Sequence, residues 1–169
     1  MKKALVIIAQ EGFQDKELEG TRKGLADAGF EIVLASTSAG ECHGKFGGVE
    51  HAKITLTNVN IGDYDRVAYI GGPGAAALKE DADAKRIAVE TVKARKPLGA
   101  ICIAPTILAA AGVLEGIKAT VWNRDNAESA FLELHGAIFT NESVTQDGLI
   151  ITGNGPEAAE EFGKIFASL

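Results

Sequence analysis

Short apolar runs alternate along the chain with segments whose apolar residues recur at helical spacing. The runs predict buried strands, and the three-to-four-residue spacing predicts amphipathic helices. The pattern predicts strands at Lys3–Ala9, Glu31–Ser36, Arg66–Ile70 and Leu98–Ile101, and helices at Lys16–Ala28, Ala75–Glu80, Ala84–Arg95 and Pro105–Ala111. Further along it predicts strands near Lys118–Val121, Ala137–Thr140 and Leu149–Thr152, a helix near Asn126–His135 and a closing helix from Pro156.

This alternation of strands and helices is typical of βαβ units. We therefore expect an α/β fold with a mostly parallel sheet and helices on both of its faces. The segment Glu41–Thr55 departs from the alternation and predicts a small inserted β-hairpin whose turn is the sequence KFGG. No Pro/Ser-rich or charge-rich stretch divides the chain, so we expect a single domain over residues 1–169.

Net charge, hydropathy and cysteine content indicate which partners and which compartment to expect. The formal net charge is −6 and the pI is near 5.1, whereas a nucleic-acid partner normally requires a basic surface. No apolar run approaches the ~18 residues of a membrane span, so no membrane partner is expected. The two cysteines, Cys42 and Cys102, lack the spacing of a disulfide framework, which favours a reduced cytoplasm.

Cys102 stands at the end of a predicted strand, where sheets of this class bind ligands. The surrounding sequence AICIA (residues 100–104) has small residues two positions to either side, as a tight strand-to-helix elbow around a nucleophile requires. Pro105 suits the first turn of the following helix. We therefore expect an exposed thiol whose pKa is lowered by the helix amides. The alternative is a small buried hydrophobic residue.

The sequence IGGPG, at the end of the predicted strand Arg66–Ile70, has three possible interpretations. Residues 72–77 match the G-x-G-x-x-A pattern of dinucleotide-binding turns, but the match does not follow the first strand, and no acidic residue ends the next one. In the second interpretation, Gly71 and Gly72 let the backbone approach Cys102, and one N–H forms an oxyanion hole with the amide of Ile103. The third is a purely structural glycine-rich turn.

No histidine adjoins Cys102 in sequence, so a Cys-His-acid triad has no visible base. His43 and His51 lie in the predicted hairpin and lack the paired spacing of a zinc site, so no metal is expected. His135 precedes Gly136 at a predicted helix end, where an imidazole commonly caps carbonyl groups.

A carboxylate is the other candidate for acid–base work. Helical spacing places one set of mostly small residues on a face that we expect to pack closely against the sheet: Glu17, Gly20, Thr21, Gly24 and Ala28. Burial would raise the pKa of Glu17, and its protonated carboxyl could then donate a hydrogen bond to a thiolate. A solvated first-turn glutamate, favoured by the helix dipole, is the alternative.

The segments FQDKELEG, IGGPG, AICIAP, ILAAAGVLEGIKAT and DGLIITGNGP together resemble the ThiJ/PfpI superfamily, and they cover nearly the whole chain. The resemblance implies a flavodoxin-like three-layer sandwich, a domain similar to class I glutamine amidotransferases, and a homodimer. It also implies Cys102 as nucleophile, Glu17 as its hydrogen-bonding acid, and amides near Gly72 and Ile103 as the anion site.

Two positions depart from the superfamily pattern. Peptidase and chaperone-like members generally have histidine directly after the cysteine, where this chain has Ile103, so a cysteine peptidase or amidase is disfavoured. The deglycase branch often has a histidine where this chain has Trp122. We expect Trp122, with Gly71 and Pro73, to line a more apolar pocket. Core or dimer-interface packing is the alternative for Trp122.

The expected function is therefore a cysteine-dependent enzyme of glyoxalase or deglycase type, without a cofactor, acting on small reactive carbonyls. Its partner would be a small electrophile, either an aldehyde or an oxidant. In the oxidant case the same atoms would form an oxidative-stress sensor, with a Cys102 sulfinate stabilised by Glu17. A flavin or nucleotide binder is the third hypothesis.

Overall fold

The computed structural model describes residues 1–169 and contains a central sheet with helices on both sides and two smaller sheets. The strands are Lys3–Ile7 (β1), Glu11–Phe13 (β2), Glu31–Ser36 (β3), Gly40–Gly44 (β4), Val49–Ala52 (β5), Ile54–Thr55 (β6), Arg66–Tyr69 (β7), Leu98–Ile101 (β8), Lys118–Ala119 (β9), Ile138–Phe139 (β10), Val144–Asp147 (β11) and Ile150–Gly153 (β12). The α-helices are Asp15–Asp27 (α1), Ala82–Lys93 (α2), Pro105–Ala110 (α3), Ala127–Leu134 (α4) and Ala159–Ser168 (α5). Short 3₁₀ helices cover Leu56–Asn58, Ile61–Asp63, Pro73–Glu80 and Pro156–Ala158.

The main sheet has seven strands in the order β11-β12-β8-β7-β1-β3-β6. Every neighbouring pair is parallel except β11 with β12. Leu5 of the central strand β1 lies opposite Val33 of β3 and Val67 of β7. Because β1, β7 and β8 run in the same direction, their carboxyl ends meet at one edge of the sheet, where α/β proteins bind ligands.

The strands bury both of their faces. Leu5 and Ile7 of β1 belong to a cluster of 27 buried residues that includes side chains of α2, α3 and α4. Ala4 and Val6 point the other way, into a cluster of 20 buried residues that includes side chains of α1 and α5. This alternation explains why β1 is a continuous apolar run. The predicted mostly parallel sheet with two helical layers is confirmed.

The small-residue face of α1 packs against α5, which corrects the expectation that it packs against the sheet. A Cβ built on Gly20 would lie 2.7 Å from the carbonyl carbon of Ala159, and one on Gly24 would lie 2.8 Å from the nitrogen of Lys164. The two helix backbones therefore approach more closely than any side chain would allow. Helical periodicity identified the residues of the face, but the element that covers the face depends on the tertiary arrangement.

The predicted inserted hairpin is also confirmed. It consists of β4 and β5, joined by a turn over residues 45–48, and β2 adds a parallel strand that the sequence pattern does not predict. The helix predicted at Ala75–Glu80 is a 3₁₀ helix that begins at Pro73. Strand β11 has the sequence VTQD, which has no apolar alternation to indicate it. None of the helices has the length and apolar content needed to cross a bilayer.

Replacing Gly24 with alanine is expected to destabilise the protein by about 1–3 kcal/mol, because the added methyl group would overpack the α1–α5 contact. In an exposed helix the same change would be stabilising by roughly 1 kcal/mol, since alanine has the higher helix propensity. Denaturant unfolding measures the difference. The control is Glu19→Ala on the exposed face of α1, which should change stability by no more than about 0.5 kcal/mol. A Gly24→Ala protein as stable as the wild type would contradict the close-contact argument.

Candidate active site

Cys102 occupies a sharp turn directly after β8. Its φ is +64°, a conformation that non-glycine residues rarely adopt. The main chain is held on both sides of the turn, since the N–H of Cys102 donates to Gly153 O at 2.8 Å and its carbonyl accepts from the N–H of Trp122 at 2.8 Å. Helix α3 begins three residues later at Pro105. This geometry matches the strand-to-helix elbow that the sequence predicts.

The loop after β7 lies against both Cys102 and the acidic side chain of Glu17. A Cβ on Gly71 would lie 2.5 Å from the Cβ of Cys102 and 2.7 Å from Glu17 Oε1, so only glycine fits there. Gly72 has a φ of +109°, and a Cβ on it would lie 2.6 Å from the nitrogen of Gln14. These contacts support the interpretation in which the glycines let the backbone approach the cysteine.

Glu17 is fully buried in the first turn of α1. The helix begins at the N-cap residue Gln14, whose side chain accepts a hydrogen bond from the N–H of Glu17 at 2.9 Å. The N–H of Gly71 donates to Glu17 Oε1, also at 2.9 Å. The other carboxyl oxygen, Oε2, is buried without a hydrogen-bond partner, and the thiol of Cys102 lies close enough to this carboxyl to influence its pKa. The solvated alternative for Glu17 is therefore excluded.

Glu17 and Cys102 influence each other's ionisation. Burial raises the pKa of Glu17 to about 7, although hydrogen bonds from Cys102 and Gly71 oppose the rise. Burial and the negative charge of Glu17 raise the pKa of Cys102 to about 12, against the lowering effect of the amides of Gly72 and Ile103. Between these values the pair holds one proton and one negative charge, which a proton transfer between carboxyl and sulfur can redistribute.

The expectation of an exposed thiol with a lowered pKa is therefore wrong. Cys102 is 8% exposed, and the energetic cost of desolvating a thiolate there exceeds the stabilisation that two backbone amides provide. The expected amides of Gly72 and Ile103 do face the sulfur. Burial and the charge of Glu17, more than the helix end, therefore determine the pKa of this thiol.

A cavity of about 320 Å³ opens beside the sulfur. Its lining combines the elbow, the glycine-rich loop and the hairpin turn: Gln14, Lys45, Phe46, Gly72, Pro73, Cys102, Ile103, Trp122 and Pro156. Pro73 and Trp122 line it as predicted. Gly71 does not, because Glu17 and Cys102 fill the space around it. Sequence reasoning missed Gln14, Lys45, Phe46 and Pro156. The predicted KFGG turn was the one sequence feature that could have indicated Lys45 and Phe46. The sequence pattern does not reveal, however, that this turn lies beside Cys102 in the fold.

The three histidines lie outside this cavity. The ring of His43 bridges two carboxylates on the protein surface, Glu11 at 2.7 Å and Glu41 at 2.6 Å. His135 contacts Phe131 O at 2.9 Å through Nδ1, which confirms the predicted role at a helix end. No three His, Cys, Asp or Glu side chains are grouped in a way that could hold a metal ion.

Replacing Glu17 with glutamine is expected to stabilise the protein above neutral pH. Because folding raises the pKa of Glu17 from 4.5 to about 7, the folded wild type binds more protons than the unfolded chain between those values, and its stability falls as the pH rises through them. At pH 8 the variant should be more stable by about 3 kcal/mol, and at pH 5 by less than about 1 kcal/mol. Urea unfolding at both pH values measures this.

The control is Glu19→Gln, because Glu19 is exposed on the same helix. It should give the same stability as the wild type at both pH values. If Glu17→Gln were also no more stable than the wild type at pH 8, the carboxyl of Glu17 would not carry the expected burial penalty.

Comparisons with known proteins agree with this architecture. The sequence model of the DJ-1/PfpI family matches residues 2–168. The deglycase PfpI of Pyrococcus furiosus is 31% identical over 156 residues, which cover 91% of this chain and 90% of that protein. A ThiJ/PfpI domain protein from Brachyspira murdochii matches with a TM-score of 0.92 and 26% identity, covering 98% of this chain and 94% of that one. DJ-1beta of Drosophila melanogaster matches with a TM-score of 0.87 and 27% identity, covering 99% and 90%. The sandwich is thus the flavodoxin-like fold of these proteins, and the chain belongs to the DJ-1/PfpI family.

Proposed function

We propose that this protein is an enzyme of deglycase or glyoxalase type that acts on reactive carbonyl compounds through Cys102. One observation carries the proposal: the thiol of Cys102, the buried carboxyl of Glu17 and the backbone amides of Gly72 and Ile103 meet at the edge of one cavity. A nucleophile, a proton carrier and an anion-binding site are the parts that addition to a carbonyl requires.

The relatives support the same reaction class. The PfpI protein of Pyrococcus furiosus, which aligns with nine-tenths of this chain, carries the name deglycase. A cysteine peptidase has less support, because Ile103 follows the cysteine and no histidine lines the cavity.

The first step is addition of the thiol to an aldehyde carbonyl. As the bond from sulfur to carbon forms, the thiol proton passes to Glu17, and the carbonyl π electrons move to oxygen. The amides of Gly72 and Ile103 face the sulfur and stabilise the resulting oxyanion, as in an oxyanion hole. Glu17 then returns the proton to that oxygen, which gives a neutral hemithioacetal.

The second step depends on the substrate. For an α-oxo aldehyde, Glu17 removes the proton from the former aldehyde carbon and delivers it to the adjacent carbonyl carbon. The hydroxyl proton moves to the oxygen of that former carbonyl, and the product is a 2-hydroxy thioester. Water hydrolyses the thioester to a hydroxy acid and restores the thiol. For the hemiaminal of such an aldehyde with an amine, sulfur displaces the amine, which leaves with the thiol proton from Glu17, and the hemithioacetal forms as before.

Both Cys102→Ser and Glu17→Gln are expected to reduce kcat/KM for methylglyoxal by about 100-fold or more, since general acid–base groups typically contribute 10²- to 10⁴-fold. The wild-type rate should rise through about pH 7, because the pair must first lose one proton. The assay follows the hydroxy acid product.

The control is Cys42→Ala, because Cys42 is the other free cysteine and does not line the cavity. It should retain the wild-type rate. If the wild type turns over no dicarbonyl, and peroxide instead adds two oxygens to Cys102 by mass spectrometry, the enzyme proposal is wrong and the sensor hypothesis is favoured.

Alkylation of the thiol tests the shared proton without a substrate. In a Cys42→Ala background, the iodoacetamide reaction rate of Cys102 should show an inflection near pH 7, where the pair loses its first proton. In Glu17→Gln that inflection should disappear, leaving a single later one below pH 12, because the carboxylate charge that raises the thiol pKa is gone. Superimposable profiles for the two proteins would contradict the coupling of Glu17 to Cys102.

A further inference from the structure

Two aromatic side chains beside Cys102 have no part in the chemistry above. Phe46 is 69% exposed and Trp122 is 36% exposed, and both line the cavity that contains the sulfur. Large apolar side chains left in water around a reactive atom are a common mark of a ligand-binding surface. Their location therefore suggests a role in substrate selection.

Each aromatic residue is attached through its main chain to an element that carries the reacting groups. The N–H of Trp122 donates to the carbonyl of Cys102 itself at 2.8 Å. The N–H of Phe46 and that of Gly48 donate to the two carboxylate oxygens of Asp15, each at 2.8 Å. Asp15 is the first residue of α1 and precedes Glu17 by two positions. Both aromatic residues are thereby positioned relative to the nucleophile and its proton carrier.

Glycines make the attachment to Asp15 possible. A Cβ on Gly44 or on Gly48 would overlap the Asp15 carboxylate. Gly44 and Gly48, one on each side of the turn, therefore leave the space in which the Asp15 carboxylate holds the turn against α1. This arrangement places Phe46 at the cavity and accounts for the last glycine of the sequence KFGG.

The rest of the cavity lining is mostly uncharged, which favours an apolar group of a ligand over a charged one. Gly72, Pro73, Ile103 and Pro156 offer no charge, and Lys45 is the one charged residue of the lining. Its ammonium group lies 5.4 Å from the centre of the Phe46 ring. The cavity volume of about 320 Å³ falls in the range of pockets that enclose molecules much larger than a three-carbon dicarbonyl.

We propose that Phe46 and Trp122 select reactive carbonyl compounds in which a flat apolar group is joined to the carbonyl, with aryl α-oxo aldehydes as the type. This substrate class rests on the proposed function. The reaction is that derived above: sulfur adds to the aldehyde carbon, the proton moves between the two carbons, and water releases an aryl hydroxy acid with no external oxidant or reductant.

The first test compares kcat/KM for phenylglyoxal with that for methylglyoxal. The wild type should favour phenylglyoxal, and Phe46→Ala and Trp122→Ala should each reduce the ratio by about 3- to 10-fold, the usual contribution of an aromatic pair. Trp122→Phe should keep most of the preference. The control is Val49→Ala, an exposed apolar residue of the same hairpin outside the cavity, which should change neither value.

The second test measures binding without chemistry. Trp122 is the only tryptophan of the chain, so its fluorescence reports directly on the cavity. In Cys102→Ser, the unreactive ketone acetophenone should quench this fluorescence in a saturable way, and acetone at the same concentration should not. Phe46→Ala in the same background should raise the Kd for acetophenone by about 3- to 10-fold.

The outcomes separate the two proposals. No turnover of either aldehyde by the wild type would overturn the proposed function, whereas the binding test could still succeed. An unchanged phenylglyoxal preference in both alanine variants, together with no saturable quenching, would overturn the aromatic selection while leaving the chemistry intact. A parallel loss of both activities with a change of oligomeric state by light scattering would assign the two aromatic residues to a contact between copies of the chain, and would also overturn it.

Discussion

The burial of one carboxyl group against one thiol is the constraint on which the site depends. Glu17 has no access to water, and its ionised form is therefore unfavourable in the folded protein. Two features keep it in place. One is the Gln14 cap that begins α1, and the other is the close contact between α1 and α5. The stability of the α1–α5 pair thus offsets part of the cost of burying this carboxyl, whose pKa is raised to about 7.

The elbow around Cys102 and the glycine-rich loop after β7 hold the thiol beside this carboxyl. Cys102 adopts a backbone conformation that is unfavourable for its residue type, and hydrogen bonds to Gly153 and from Trp122 hold it there. Gly71 allows the loop to lie against both the acid and the thiol. The result is a pair of groups that meet only because the ends of three parallel strands and the start of one helix converge.

Much of this was available from the sequence. Alternating apolar runs predicted the sheet and its two helical layers, and the small residues around Cys102 predicted the elbow. The wrong or missing predictions concern features that depend on which residues are brought together by the tertiary structure. The pKa of the thiol was misjudged because the cost of desolvation depends on exposure, which local sequence does not give. Phe46 was missed because the pairing of β4 with β2, two segments far apart in the chain, decides where the KFGG turn lies.

The hairpin turn is attached to α1 through its main chain, so the side chains with which the turn lines the cavity are free to vary. Asp15 holds the turn by accepting hydrogen bonds from main-chain N–H groups, which every residue except proline can supply. The side chains at positions 45 and 46 therefore contribute nothing to the attachment. Mutation can exchange these two side chains and remodel one wall of the cavity, while Cys102 and Glu17 keep their places. Such a division allows the shape and polarity of the cavity to drift in evolution without disturbing the residues around Cys102.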